Sequence, residues 1–194
     1  MAITNGYATL AELRTRLGVS DTADDTTIEA VIESASWAID AYADWIFYAL
    51  SETRYFDGDD PICLFVGDLL SVTTLKTDDV GLRTYGTTWA TTDYDLLPYN
   101  TTPKTRISIT QYGRYSFPVG AKSVEIVGSW GHNATGSYPD DINEACLLWA
   151  ARLFARKNAP FGVAGSPDNA MMTLPGVDPD VKRLLSRYIK YGAM

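Results

Sequence analysis

The strongest constraint in this sequence is an apolar stripe that one helix cannot bury by itself. Ile28, Val31, Ile32, Ala35, Ile39, Tyr42 and Ile46 recur at helical spacing, which predicts a helix of roughly 22 residues ending near Leu50. Such a face has to pack on other helices. The next residues do not supply them. From about residue 52 to 132 the chain turns rich in Thr, Tyr, Val, Gly and Asp, and its runs read as strands. Helical spacing returns only after Tyr138. The two ends of the chain are therefore expected to meet.

Local signals sharpen both ends. Thr9-Leu10-Ala11-Glu12 has the form of a capping box, Leu10, Leu13 and Leu17 mark one face, and Gly18 is a stop. Thr26-Thr27-Ile28-Glu29 reads as a second box opening the long helix. Near the other end, Pro139-Asp140-Asp141 opens a helix carrying Ile142, Ala145, Cys146, Leu148, Trp149 and Leu153. Arg152, Arg156 and Lys157 crowd its last turns, where the helix dipole favours cations. A loop of about 20 residues, Asn158 to Val177, follows. Asp178-Pro179 then starts a last helix, with Val181, Leu184, Leu185, Tyr188 and Ile189 on one face and Lys182, Arg183, Arg187 and Lys190 on the other.

In the middle, strands are expected at Glu52–Phe56, Ile62–Val66, Val72–Lys76, Tyr94–Leu97, Arg106–Thr110 and Ser123–Trp130, separated by turn residues. The fold class is accordingly α+β. N- and C-terminal helices form a bundle, and a small antiparallel sheet or barrel is inserted into it. In domain terms, residues 1–51 with 138–194 are one discontinuous helical domain, and 52–137 are the β insertion.

Charge narrows the partners. The 194-residue chain has a formal net charge of −8, and residues 1–50 hold two basic groups against eight acidic ones. Gripping nucleic acid by phosphate neutralisation is a poor fit to that balance. Apolar residues are 46% and charged residues 21%, as in an ordinary globular protein. The opening MAITNGYATLAEL has neither a basic n-region nor an apolar h-region, so no signal peptide is expected. No apolar run approaches the ~20 residues that cross a bilayer. Cys63 and Cys146 both sit in apolar runs and read as reduced, buried small hydrophobes.

Catalytic chemistry is nearly missing. His132, the one histidine, lies in a Gly-rich loop with no nucleophile beside it in sequence. Asp57, Asp59 and Asp60 begin like a calcium loop, but the later ligands are missing, so a solvated turn is the better reading. There is no nucleophile elbow, P-loop or Cys/His metal spacing. Gly162-Val163-Ala164-Gly165 follows a helix end and not a strand, so it reads as a linker. Trp37, Trp45, Trp89, Trp130 and Trp149 are scattered and suit core or interface anchoring. No enzyme activity, cofactor or metal is expected.

Three stretches together resemble the head–tail connector, or portal adaptor, proteins of tailed bacteriophages and related gene-transfer particles. They are Tyr7–Leu13 running on to Ala35–Tyr42; Tyr138-Pro139-Asp140-Asp141-Ile142 through Ala150-Ala151-Arg152-Leu153 to Arg156-Lys157; and Ala159–Gly165 with Asp178–Tyr188. The resemblance implies a ring, typically of twelve subunits, beneath the portal at the neck of the virion, made in the host cytoplasm. Such a ring extends the DNA channel and presents a platform to the stopper or tail-completion protein. DNA passes without specific binding, and no membrane is involved. In that family the C-terminal part commonly docks on the portal, which by analogy points to Lys182, Arg183, Arg187, Tyr188, Lys190 and Phe161. The alternatives are a stopper or tail-completion protein of the same neck, a small carboxylate-dependent metal-binding or carbohydrate enzyme using the Asp57–Asp60 turn, and a generic β-barrel binding module.

Overall fold

The computed structural model describes residues 3–111, 113–133, 138–158, 163–164, 172–173 and 177–190. The chain divides into two compact units, Met1–Trp45 with Tyr138–Met194, and Ile46–Ser137. The first is helical and the second is a sheet, so the class is α+β.

In the helical unit, α1 spans Leu10–Leu17 and the capping box forms: Glu12 donates its backbone N–H to Thr9 Oγ1 at 3.2 Å, and Thr9 N–H reaches Glu12 Oε2 at 2.7 Å. Gly18 closes it in the left-handed region, φ 68°, where a Cβ would be strained. Helix α2 runs Asp25–Ala43, shorter at one end and longer at the other than its periodicity suggests. The second capping box does not form. The helix starts at Asp25, whose carboxylate pairs with Arg14 Nε at 3.0 Å, and its N-cap Asp24 makes no side-chain cap. Asp44 ends it at φ 53°, its N–H bonded to Asp40 O. Asp is one of the few non-glycine residues that enters this region readily, so Ile46 falls off the stripe although its spacing fits.

Helix α3 spans Asp140–Ala155, followed by a 3-10 turn at Arg156–Asn158, and α4 spans Pro179–Leu185, followed by a 3-10 turn at Ser186–Tyr188. α3 packs against α1, α2 and α4. The burial explains why: Ile28, Ile32, Ala35 and Ile39 of α2 and Ile142, Ala145, Cys146 and Ala150 of α3 are all fully buried. Small residues let the two backbones approach closely. There Cys146 Sγ lies 3.5 Å from Ser36 Oγ, which also accepts Tyr7 N–H at 3.0 Å. Burial pushes the Cys146 thiol up to about 11. Tyr7 ties the N-terminal segment down further. Its hydroxyl donates to Asp40 Oδ1 at 2.5 Å, and its carbonyl accepts from Asn143 Nδ2 at 2.8 Å.

Two short strands, β7 (Val163–Ala164) and β8 (Met172–Thr173), pair antiparallel inside the stretch expected as an unstructured loop. The Gly162–Gly165 linker reading thus gives way at its centre to a strand pair; the rest of that loop lies outside the described residues.

The second unit holds β1 (Leu50–Gly58), β2 (Cys63–Thr77), β3 (Thr87–Thr88), β4 (Tyr94–Leu97), β5 (Lys104–Ile109) and β6 (Gly120–Trp130). Their order is β1-β6-β2-β5-β4, with β3 on β2, and every pairing is antiparallel. The path is an open sheet rather than a barrel. Two expected strands, Ile62–Val66 and Val72–Lys76, are one 15-residue strand, β2. Gly67 at φ 76° sits where the β5 register shifts, so β2 pairs β5 with its first part and β6 with its second. The two-residue β3 was too short to read from sequence.

One face is filled by Leu64, Leu69, Leu75, Ile107, Ile126 and neighbouring aromatics. Trp89 stacks on Phe117 at 4.7 Å and donates its indole N–H to Thr77 Oγ1 at 3.2 Å. Trp130 donates to Glu52 O at 3.1 Å. These partners are what a buried indole requires. Cys63 is half-buried, unlike the fully buried Cys146, because its neighbours alternate across the pleat; both thiols are free.

Candidate functional site

A groove of the helical unit lies between α3 and α4. Asp178 caps α4, accepting the N–H of Asp180 at 3.0 Å, and Pro179 fills the first helical position. The same Asp178 carboxylate lies 3.6 Å from Arg152 Nη1 of α3. At the far end, Asp141 in the first turn of α3 pairs with Arg187 and accepts from the Tyr188 hydroxyl at 3.4 Å. α4 is thus pinned to α3 at both ends, and a groove of about 750 Å³ is left along them. Leu148 and Leu184 give it an apolar part; Asp141, Glu144, Asp180, Arg183 and Arg187 give it charge. Glu144 is engaged by Arg16.

The basic residues expected to act together divide. Arg183 and Arg187, four apart, share the groove. Tyr188 is half-buried beside them, with the Arg187 guanidinium 5.2 Å over its ring. Lys182 is exposed on α4 but does not line the groove. Lys190 sits elsewhere: its ammonium is 4.7 Å over the Trp45 ring, and its backbone N–H bonds Ala43 O at 3.0 Å, closing the end of α2. Phe161 lies outside the described residues. Sequence reading missed Asp141, Glu144 and Leu148 as groove residues. Their i, i+3, i+7 spacing on α3 was the available signal, but Leu148 read as part of the apolar face and Asp141 as a helix start.

The other sequence candidates carry no catalytic arrangement. His132 Nδ1 lies 2.7 Å from Asn133 Oδ1, and its ring packs on Phe47 at 5.4 Å. In the acidic turn, Asp57 Oδ1 accepts the N–H of Lys122 at 2.7 Å and Asp60 Oδ1 that of Ile62 at 2.8 Å. Those carboxylates serve the backbone, as turn residues do. Among the described residues no group of three or more His, Cys, Asp or Glu could hold a metal ion. Of the five tryptophans, Trp89 and Trp130 are core, Trp149 and Trp45 are half-buried, and Trp37 is 68% exposed on α2. Among the described residues, no helix is long and apolar enough to cross a membrane. An apolar strip edged by charges suits contact with a protein surface better than turnover of a small molecule.

The resemblance read from the sequence stands: residues 7–61 match the model of the phage gp6-like head–tail connector protein family. No curated protein matches the chain. Solved structures do. A chain in the neck of an empty GTA particle computed with C6 symmetry is 15% identical, with a TM-score of 0.64, over 100% of this chain and 95% of that one. A chain in the neck of a native GTA particle computed with C12 symmetry is 17% identical, with a TM-score of 0.61, over 100% and 94%. A chain in the virion of a native gene transfer agent particle is 21% identical, with a TM-score of 0.61, over 100% and 95%. At these identities the likeness is one of fold, and it spans both units.

Proposed function

We propose that this chain is a structural protein of the virion neck, and within the neck a head–tail adaptor. Copies assemble as a ring beneath the portal, extend the DNA channel and form the platform for the next neck or tail protein. The observation that carries this is the coincidence of two matches. Residues 7–61, from α1 through β1, match the family model of head–tail connectors, and the whole chain, β unit included, is similar in fold to a gene-transfer-agent neck chain. The reading requires no catalytic residue, cofactor or metal. A twelve-fold ring is the expected stoichiometry, and the net charge of −8 suits a lumen that DNA slides through without sticking.

Two finer statements belong to the same proposal. Helices α1 to α4 act as one bundle domain assembled from both ends of the chain, and residues 52–137 act as an inserted β domain. The α3–α4 groove, through Arg183 and Arg187, with Tyr188, Lys182 and Lys190 nearby in sequence and Phe161 from the preceding Asn158–Val177 stretch, is the portal-facing element. What supports it is that Lys182 and Arg183 are exposed and, among the described residues, have no carboxylate partner. Co-sedimentation with assembled portal tests it. Wild-type protein should pellet with portal, and R183E/R187E should not. Equal recovery of the two proteins would remove the groove from the account, and no recovery of either would remove the adaptor role.

A further inference from the structure

The β unit carries a second cleft that the adaptor reading leaves unused. Among the described residues four that are not glycine have positive φ, and three of them meet here: Arg83 at 57°, Tyr85 at 47° and Lys122 at 51°. Each is held in a region L-residues avoid. The restraints are visible. Asp78, only 5% exposed, accepts the N–H groups of Leu82 at 3.3 Å and Arg83 at 2.5 Å. The Tyr85 hydroxyl donates to Lys122 O at 2.9 Å, and Lys122 N–H donates to Asp57 Oδ1 at 2.7 Å. The result is a cleft of about 290 Å³ walled by Tyr55, Arg83, Tyr85 and Lys122. The two tyrosine rings lie 5.4 Å apart and tilted by 39°.

Its electrostatics are unbalanced. The nearby Glu125 is held by Lys76 at 3.3 Å and Asp57 is used by the backbone. Among the described residues, neither the Arg83 nor the Lys122 side chain has a carboxylate partner, and both residues are exposed. In the same loop Val80 and Leu82 are 69% and 75% exposed. Two unpaired cations, two tyrosines and an apolar edge are the makings of a hot spot for a carboxylate-bearing protein surface. The chain itself supplies one. Residues 1–50 hold eight acidic groups and two basic ones. Arg14 and Arg16 are already spent within the subunit, on Asp25 and Glu144, and of the acids Asp24 is held by Lys157 and Asp40 by the Tyr7 hydroxyl, so the carboxylates left for a partner are among those outside Asp24, Asp25 and Asp40.

We propose that this cleft receives acidic side chains from residues 1–50 of a second copy of the chain. The contact joins unlike patches, head to tail, which is the type that closes into a ring. It rests on the ring reading above and assigns to that ring one of its subunit contacts. DNA phosphate is the less favoured occupant because the chain as a whole is acidic.

Site-specific photo-crosslinking tests it. Leu82→p-benzoylphenylalanine places the probe beside Arg83 without touching the cleft walls. The purified chain, alone and with portal, is irradiated and the adducts are mapped by mass spectrometry, with electron microscopy of the same samples. The expected adduct joins position 82 of one copy to residues 1–50 of another. Adding R83E/K122E should lower its yield about tenfold, whereas R83K/K122R should keep it. Circular dichroism of each variant shows that the fold is retained. Adducts outside residues 1–50, adducts to another protein or to DNA, no adduct, or a yield indifferent to charge reversal would each overturn the contact. Rings seen together with any of those results leave the ring reading standing; failure to form rings in either sample sinks both.

Discussion

Asp40 is a half-buried carboxylate whose ionisation works against the helical unit. It sits on α2 facing Tyr7, whose hydroxyl donates to it at 2.5 Å. Burial raises its pKa from 3.8 to about 6, and the Tyr7 hydrogen bond only partly offsets this. The folded state therefore holds the proton more tightly than the unfolded state. Stability is highest below the unfolded value, falls as pH rises from about 4 to about 6, and stays at the lower level above that. A shift of that size corresponds to about 3 kcal/mol; since the group is partly exposed, screening reduces it to ~1–2 kcal/mol. Asp40→Asn keeps an oxygen to accept from Tyr7 and cannot ionise. At pH 7 the variant should be more stable than the parent by ~1–2 kcal/mol, a rise in Tm of roughly 2–8 °C for a chain this size. At pH 4 the two should coincide. Thermal melts between pH 4 and pH 8, followed by circular dichroism, read both. A variant that is less stable at pH 7, or a difference that does not depend on pH, would refute the reasoning.

Other consequences are local. Thr9→Ala removes the side-chain arm of the capping box, the Oγ1 that accepts Glu12 N–H, and leaves the backbone N–H of residue 9 to Glu12; it should lower stability by about 1 kcal/mol in urea unfolding, with the slope unchanged. Gly58→Ala puts a Cβ 1.9 Å from Pro118 O at the β1 register shift. The strand ends must then separate, and amide exchange at position 58 and at Gly120 should quicken. Cys146 is buried with its thiol pushed up to about 11, so at pH 8 the native chain should leave it unlabelled by a thiol reagent while unfolded chain labels it; prompt labelling in the native state would contradict the packing of α2 on α3.

Periodicity and caps carried most of the fold into view. The Thr9 box and Gly18, the Asp178-Pro179 start and the strand Tyr94–Leu97 are written in short-range chemistry, so they were legible. What was not legible depended on longer range. The end of α2 at Ala43 turns on a single left-handed aspartate, while Ile46 still matched the stripe. The merging of two strands into β2 depends on which partner each half pairs with, a property of the sheet and not of the run. In the groove, Arg183 and Arg187 were visible as a basic face, but Asp141 and Glu144 gain their place only when α4 lies on α3. Lys190 was separated from them by Trp45, a residue far away in sequence. The cleft at Tyr85 left no sequence signal, because strained backbone at Arg83 and Lys122 cannot be read from residue type.

The central claim is that the chain works as a ring under a portal. Electron microscopy of the purified protein mixed with its portal tests this most directly. The account predicts a closed ring, twelve-fold by expectation, seated coaxially on the portal and lengthening its channel. Portal particles without an added ring, at protein concentrations well above those of the portal, would contradict it.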